Sequence, residues 1–155
     1  MRLKIEINTR EHFSVLDLVQ YRFEVNNGWF SGSAKITTYE LDELLGTKLR
    51  ALYQRKKGRD LFDLWAASRD AAANPKCLVE CFEQYVEHDG LRISRAEFES
   101  NLYEKLRDPG FGRDVAPLLA SSVGWDQAAA AAYVFTAISP LLSGSAWKGD
   151  SGLSK

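Results

Sequence analysis

The chain has 155 residues, enough for one compact domain with a core, and its 45% hydrophobic content and four Trp mark it as folded rather than disordered. A net charge of −1 excludes a global attraction to nucleic acid or to a membrane surface, so any such affinity must be local. No apolar run is long enough to span a bilayer, and the N-terminus reads as a strand rather than a signal peptide, which implies a cytoplasmic protein with no membrane partner.

The first element is predicted over 2–8, where Leu3, Ile5 and Ile7 alternate with Lys4 and Glu6 in the period of a strand. A second extended run covers 19–25, Asn26-Asn27-Gly28 reads as a turn, and 33–38 reads as a third short strand. Helical patterns follow at 39–56 and 59–72, separated by Gly58. A third starts at Asn74-Pro75, an N-cap followed by proline at the first helical position, and reaches residue 87. Ser94 and Glu97 have capping-box spacing and open a fourth helix that stops at Asp108-Pro109. A short helix over 113–120 and an alanine-rich one over 126–142 complete the pattern. The expected fold is therefore α+β, with a small sheet over 1–38, a helical bundle over 39–142 and a flexible tail over 143–155. The sheet, with nothing before it to cover its faces, looks like the second half of a larger one.

Cys77 and Cys81 stand four apart on a predicted helix, where both side chains aim the same way, so they are expected as semi-buried thiols rather than a disulfide. His12 and His88 are not at metal-ligand spacing to them, and His88 is placed to favour a helix C-terminus. No Ser-His-Asp or Cys-His arrangement appears, and Gly28 and Gly32 beside Trp29-Phe30 lack the pattern of a phosphate loop.

The chemistry concentrates between residues 46 and 65. At about 100° per residue, Leu41, Leu45, Lys48, Leu52 and Arg55 share one stripe of the first predicted helix, so two cations interrupt an apolar face. A cation turned inward needs a carboxylate or an anionic ligand. Two readings stand side by side: a structural ion pair between packed helices, or a pocket edge where Lys48 and Arg55 receive phosphate. Asp60 borders the apolar face formed by Leu61, Leu64 and Trp65 and is expected to reach Lys48, while Asp63, one turn from Arg59, is expected to pair with Arg59 at the surface. Arg50, Arg55, Lys56, Lys57 and Arg59 place five positive charges within ten residues. Such a cluster complements a helix C-terminus, and it equally attracts a polyphosphate or an RNA backbone. Glu6, between Ile5 and Ile7, is either a solvent-facing carboxylate or a metal-facing one.

The run from Glu40 through Leu44-Leu45, Lys48-Leu-Arg-Ala-Leu52, Arg55 and Arg59-Asp60-Leu-Phe-Asp63-Leu resembles the signature of the AbiEii/AbiGii toxin-like nucleotidyltransferases. The Leu3–Ile7 strand and the tryptophan-containing loop before Ser33 are also similar, and the resemblance covers about residues 2–110. It implies a minimal nucleotidyltransferase sheet followed by a helical domain, in toxins of toxin–antitoxin or phage-defence systems. It further implies use of NTP and Mg2+, in some cases on RNA. By this resemblance Lys48 matches the lysine that contacts the nucleotide, Asp60 or Asp63 the later catalytic aspartate, and Glu6 the third acidic strand position, with Arg55 and Arg59 beside the phosphates. The family's first motif, a Gly-Ser or Gly-Gly turn and a strand with two alternating aspartates, has no counterpart before Leu3–Ile7. Two-metal phosphoryl transfer needs those carboxylates. The expectation is a truncated or split nucleotidyltransferase, inactive alone, with an NTP- or phosphate-binding half-site. Its expected partner is an antitoxin-like protein or a missing N-terminal half. The alternative is a non-catalytic module that binds an antitoxin-like protein or RNA. An exposed sheet edge left by a missing half would favour the first reading, and homodimerisation through that edge is expected.

Overall fold

The computed structural model describes residues 13–70, 73–120 and 123–149. The predicted strand over 2–8, including Glu6, lies outside the described residues. Two compact units, Met1–Glu40 and Leu41–Lys155, follow one another along the chain.

In the first unit β1 (Val19–Asn26) and β2 (Ser31–Thr38) form an antiparallel pair, with Tyr21 opposite Ile36, Phe23 opposite Ala34 and Arg22 opposite Lys35. The pairing separates an apolar face, with Tyr21, Phe23 and Ile36, from a polar one, with Arg22 and Lys35. Tyr21, Phe23 and Ile36 nevertheless stay exposed. Asn27 sets the turn: its Oδ1 accepts the backbone N–H of Trp29 and of Phe30, both at 2.9 Å, and its own N–H donates to the Phe30 carbonyl at 3.0 Å. This is the local backbone mimicry that favours Asn in turns. Trp29 is left at the tip, 98% exposed.

The second unit is helical, with α1 (Leu41–Gln54), α2 (Gly58–Asp70), α3 (Pro75–His88), α4 (Arg95–Leu106) and α5 (Gln127–Tyr133) among the described residues. Asn74 accepts from the Lys76 N–H and Pro75 opens α3, while Ser94 and Glu97 exchange the two hydrogen bonds of a capping box at the start of α4. The architecture is α+β, a two-stranded sheet followed by helices, as expected. The core gathers Leu45, Leu49 and Leu52 of α1, Leu61 and Leu64 of α2, Leu78 and Phe82 of α3, and Phe98 and Leu102 of α4 around Val134 and Ile138.

Two expected helices differ. The segment over 113–120 holds turns and a three-residue 3-10 helix, Ala116–Leu118, because Pro117 cannot donate and Gly112 takes a positive φ of 96°. The alanine-rich helix keeps its α geometry only to Tyr133, widens to a π-turn over Val134–Ile138 and closes in a 3-10 turn at Ser139–Leu141. Pro140 lacks the N–H needed to continue it. Cys77 and Cys81 are free thiols, with burial pushing the Cys81 pKa up to about 12.

Within the segment expected as a flexible tail, two residues contact α4: the Ser143 carbonyl accepts the Arg95 N–H at 2.7 Å, and Trp147 meets Glu99 and Tyr103. Buried Glu99 collects the Arg95 Nε–H and the Ser139 hydroxyl on Oε1, each at 2.7 Å, and the Trp147 backbone N–H on Oε2 at 2.8 Å. Burial opposes its charge, but these donors outweigh it and hold its pKa below the usual carboxylate value. The Trp147 ring lies 4.8 Å from that of Tyr103. A low-complexity composition concealed one aromatic anchor and one buried acceptor.

At Gly46 the backbones of α1 and α3 come close: a Cβ there would lie 2.8 Å from Cys81 Cβ and 2.9 Å from the Leu78 carbonyl oxygen. Gly46→Ala is expected to force the helices apart and cost about 1–3 kcal/mol despite the better helix propensity of Ala. Urea unfolding checks this through a lower midpoint at unchanged slope.

Candidate functional site

The buried side of α1 centres on Leu45, Leu49 and Leu52, which leaves Lys48 and Arg55 at its edge rather than within it. Seven residues separate the two cations, about 10 Å along the helix axis. Both meet carboxylates of α2, and neither of the expected pairs, Asp60 with Lys48 and Asp63 with Arg59, is the one formed. Lys48 Nζ lies 2.7 Å from Asp63 Oδ2, with the two side chains 33% and 37% exposed. Arg55 instead holds Asp60 in a two-point contact, Nε to Oδ2 at 2.7 Å and Nη2 to Oδ1 at 2.6 Å. Asp60 has no exposed surface, whereas Arg55 is 48% exposed. The expectation failed because the faces of α2 were judged on α2 alone. Asp60 sits at its first turn, next to the joint that carries Arg55, while Asp63 sits one turn further on, against Lys48. Arg59 is exposed and is not joined to Asp63 among the described residues.

The electrostatics tie the pairs into one cluster. The hydrogen bonds to Asp60 raise the Arg55 pKa against the opposing effect of its burial, and the charges of Asp60, Asp63 and Asp114 raise it further. Asp114 sits beside the start of α2, where its Oδ1 accepts the Gly58 N–H at 3.0 Å and its Oδ2 is buried without a hydrogen bond. That carboxylate satisfies one of the orphan donors of the helix and complements its dipole.

Sequence reasoning missed three further contributors, all from one segment. Lys105, 8% exposed, donates from Nζ to the Leu52 carbonyl and, at 2.6 Å, to the Tyr53 carbonyl at the end of α1. Lys56 pairs with Asp108, and Asp114 caps α2 as described. One signal was available for Lys105: with Phe98 and Leu102 it falls at i, i+4 and i+7 on α4, the same interruption of an apolar stripe that exposed Lys48.

The described residues do not fit a metal centre. Asp60 and Asp63 are each committed to a cation, Glu6 lies outside the described residues, and no group of three His, Cys, Asp or Glu among the described residues is arranged to hold an ion. What the arrangement can do is present cations: Arg55 spends Nε and Nη2 on Asp60, and its Nη1 makes no hydrogen bond among the described residues. Lys57 and Arg59 are exposed beside it.

A β-hairpin followed by a helical unit, with cations gathered where its first two helices meet, defines an α+β protein. The family described as "Nucleotidyl transferase AbiEii toxin, Type IV TA system" matches residues 1–132. The chain belongs to this nucleotidyltransferase toxin family of toxin–antitoxin systems, in which an antitoxin is the counterpart and nucleotidyl transfer generally requires an NTP and a divalent metal. No curated protein and no solved structure matches it. Among the described residues no helix is long and apolar enough to cross a membrane.

Burial lowers the Lys105 pKa to about 8, opposed by the charge of Asp60 and assisted by that of Lys56. The folded value is then below the unfolded one of about 10.4, so the unfolded chain binds more protons between these values and stability rises with pH across that window. Denaturation measured between pH 8 and 10 should show the rise in the wild type and a flattened one in Lys105→Met. Asp60→Asn, which leaves Arg55 short of its partner, is expected to cost about 1–3 kcal/mol at neutral pH, less than a fully buried pair because Arg55 is half exposed.

Proposed function

We propose that Lys48, Arg55 and Arg59 form the phosphate-binding half of a nucleotidyltransferase site, with Asp63 and Asp60 orienting the two paired cations. The observation that supports this most is the pairing itself. Each carboxylate fixes one cation, yet Lys48 and Arg55 both keep solvent-facing surface on the same short stretch of α1 and α2. A guanidinium held through two of its nitrogens still offers donors in a plane that suits a phosphate oxygen pair. Lys48 is a compact charge whose carboxylate partner sits at the surface, where exchanging one anion for another is inexpensive. Holding magnesium is assigned to none of the described carboxylates, so the described residues bind and orient a nucleotide rather than transfer it. RNA is the acceptor class that the basic joint suits, through Lys57 and Arg59.

The family membership supports nucleotide chemistry, and the cluster supplies a place for the triphosphate within the matched residues. Titration of the purified chain with each Mg-NTP by calorimetry tests the reading. Lys48→Ala and Arg55→Ala are each expected to weaken binding by about tenfold or more, the loss of one charge-assisted contact. Absence of binding to every nucleotide would leave the two pairs as structural ties between α1 and α2.

A second reading has one observation in its favour, the exposed apolar face of the hairpin with Tyr21, Phe23 and Ile36. It makes the chain an interaction module for an antitoxin-like protein or a second copy. Sedimentation equilibrium of the wild type beside Phe23→Ser separates self-association through that face from a monomer.

A further inference from the structure

The last four carbonyls of an α-helix have no partner within it, and Lys or Arg residues just beyond the end ordinarily turn back to serve them. After α1 the chain supplies three candidates in a row, Arg55, Lys56 and Lys57. None of their side chains does so among the described residues. The Ala51 carbonyl is taken by the Arg55 backbone N–H at 2.9 Å. The Leu52 and Tyr53 carbonyls are both taken by the ammonium of Lys105, which arrives from α4. The Arg55 guanidinium goes forward to Asp60, Lys56 goes to Asp108, and the side chains of Lys57 and Arg59 make no hydrogen bond or ion pair among the described residues.

A lysine 8% exposed is a costly way to cap a helix that has cations of its own nearby. The consequence of spending it there is local: the cations of the joint are relieved of capping. We propose that Lys105 is a positioning residue for the anion site, closing the end of α1 from the side so that Arg55, Lys57 and Arg59 remain directed at the phosphates of a ligand. This rests on the phosphate reading of the α1–α2 joint and adds to it a residue that touches no ligand. Asp108 and Asp114 support the same arrangement from the same segment, one by engaging Lys56 and the other by capping α2. Residues 105–114 thus act as a brace under the joint.

The groups facing Lys105 are Asp60 from α2, Lys56 from the joint and the Tyr53 ring from α1, 5.9 Å from its Nζ. Its burial places its titration near pH 8. As Lys105 loses its proton the cap weakens, and the local cations compete for the freed carbonyls. Anion affinity should therefore fall between pH 7.5 and pH 9.

The test uses inorganic triphosphate as the probe and the full chain as the protein, read by calorimetry. At pH 7.5 Lys105→Met is expected to bind about tenfold more weakly, and Lys57→Ala a few fold more weakly, while the double variant is no weaker than Lys105→Met alone. That non-additivity is the signature of positioning, because simple removal of two charges would add. The fall between pH 7.5 and pH 9 should appear in the wild type and vanish in Lys105→Met. If Lys105→Met does not fold, Lys105→Gln, which keeps a donor for one carbonyl, is expected to bind with intermediate affinity and the same flat pH profile. Wild-type affinity in either folded variant, or strict additivity with Lys57→Ala, overturns the positioning role and leaves the phosphate site standing. No binding of triphosphate or of Mg-NTP to the wild type overturns both.

Discussion

Asp60 is a carboxylate with no exposed surface, and its charge is supported by the guanidinium of Arg55 five residues earlier. The two-point contact spans the joint between α1 and α2, so the direction in which the chain leaves one helix and enters the next is tied to the fate of one buried charge. Removing Arg55 would leave a buried carboxylate uncompensated, whereas removing Asp60 would leave a guanidinium half exposed to water. The rest of the cluster follows from that geometry. With Asp60 given to Arg55, Asp63 is the carboxylate that meets Lys48, and the helix ends on either side must be closed from elsewhere, by Lys105 and Asp114.

Local chemistry was legible where a feature depended on neighbours in the chain. Asn74 with Pro75, Ser94 with Glu97 and the Asn27 turn each carry their own hydrogen-bond partner within a few residues, and each appears in the structure as its spacing suggested. Lys48 and Arg55 could be singled out because they interrupt an apolar stripe. Which carboxylate each would meet could not, because the answer depends on how α2 crosses α1 rather than on the pattern of either helix. Lys105, Asp108 and Asp114 lie some fifty residues from the joint they support, and no local periodicity reports such a distance. Glu43 makes the same point: on a polar-looking face of α1, it is wholly buried, and accepts the Tyr85 hydroxyl at 2.7 Å.

The family and the geometry constrain each other. Membership in the AbiEii nucleotidyltransferase toxins is what makes a triphosphate the anion proposed above for this cluster, and on that proposal the cluster limits what the described part of the chain contributes. Carboxylates already paired to cations are poor ligands for a divalent ion, since each would have to exchange a charge-assisted contact for a metal bond. On the proposed reading, the described cations and carboxylates serve grip rather than chemistry.

Glu99 bears on where this protein ends as a folding unit. Its carboxylate is held by donors from residues 95, 139 and 147, and the core takes in Val134, Ile138 and Leu142. The family match stops at residue 132. A version of the chain shortened to the matched residues would keep every member of the cation cluster. It would also strip a buried carboxylate of two of its three donors and open a gap where three aliphatic side chains had been. The stretch matched to the family and the stretch that packs around Glu99 therefore end at different places, residues 132 and 147.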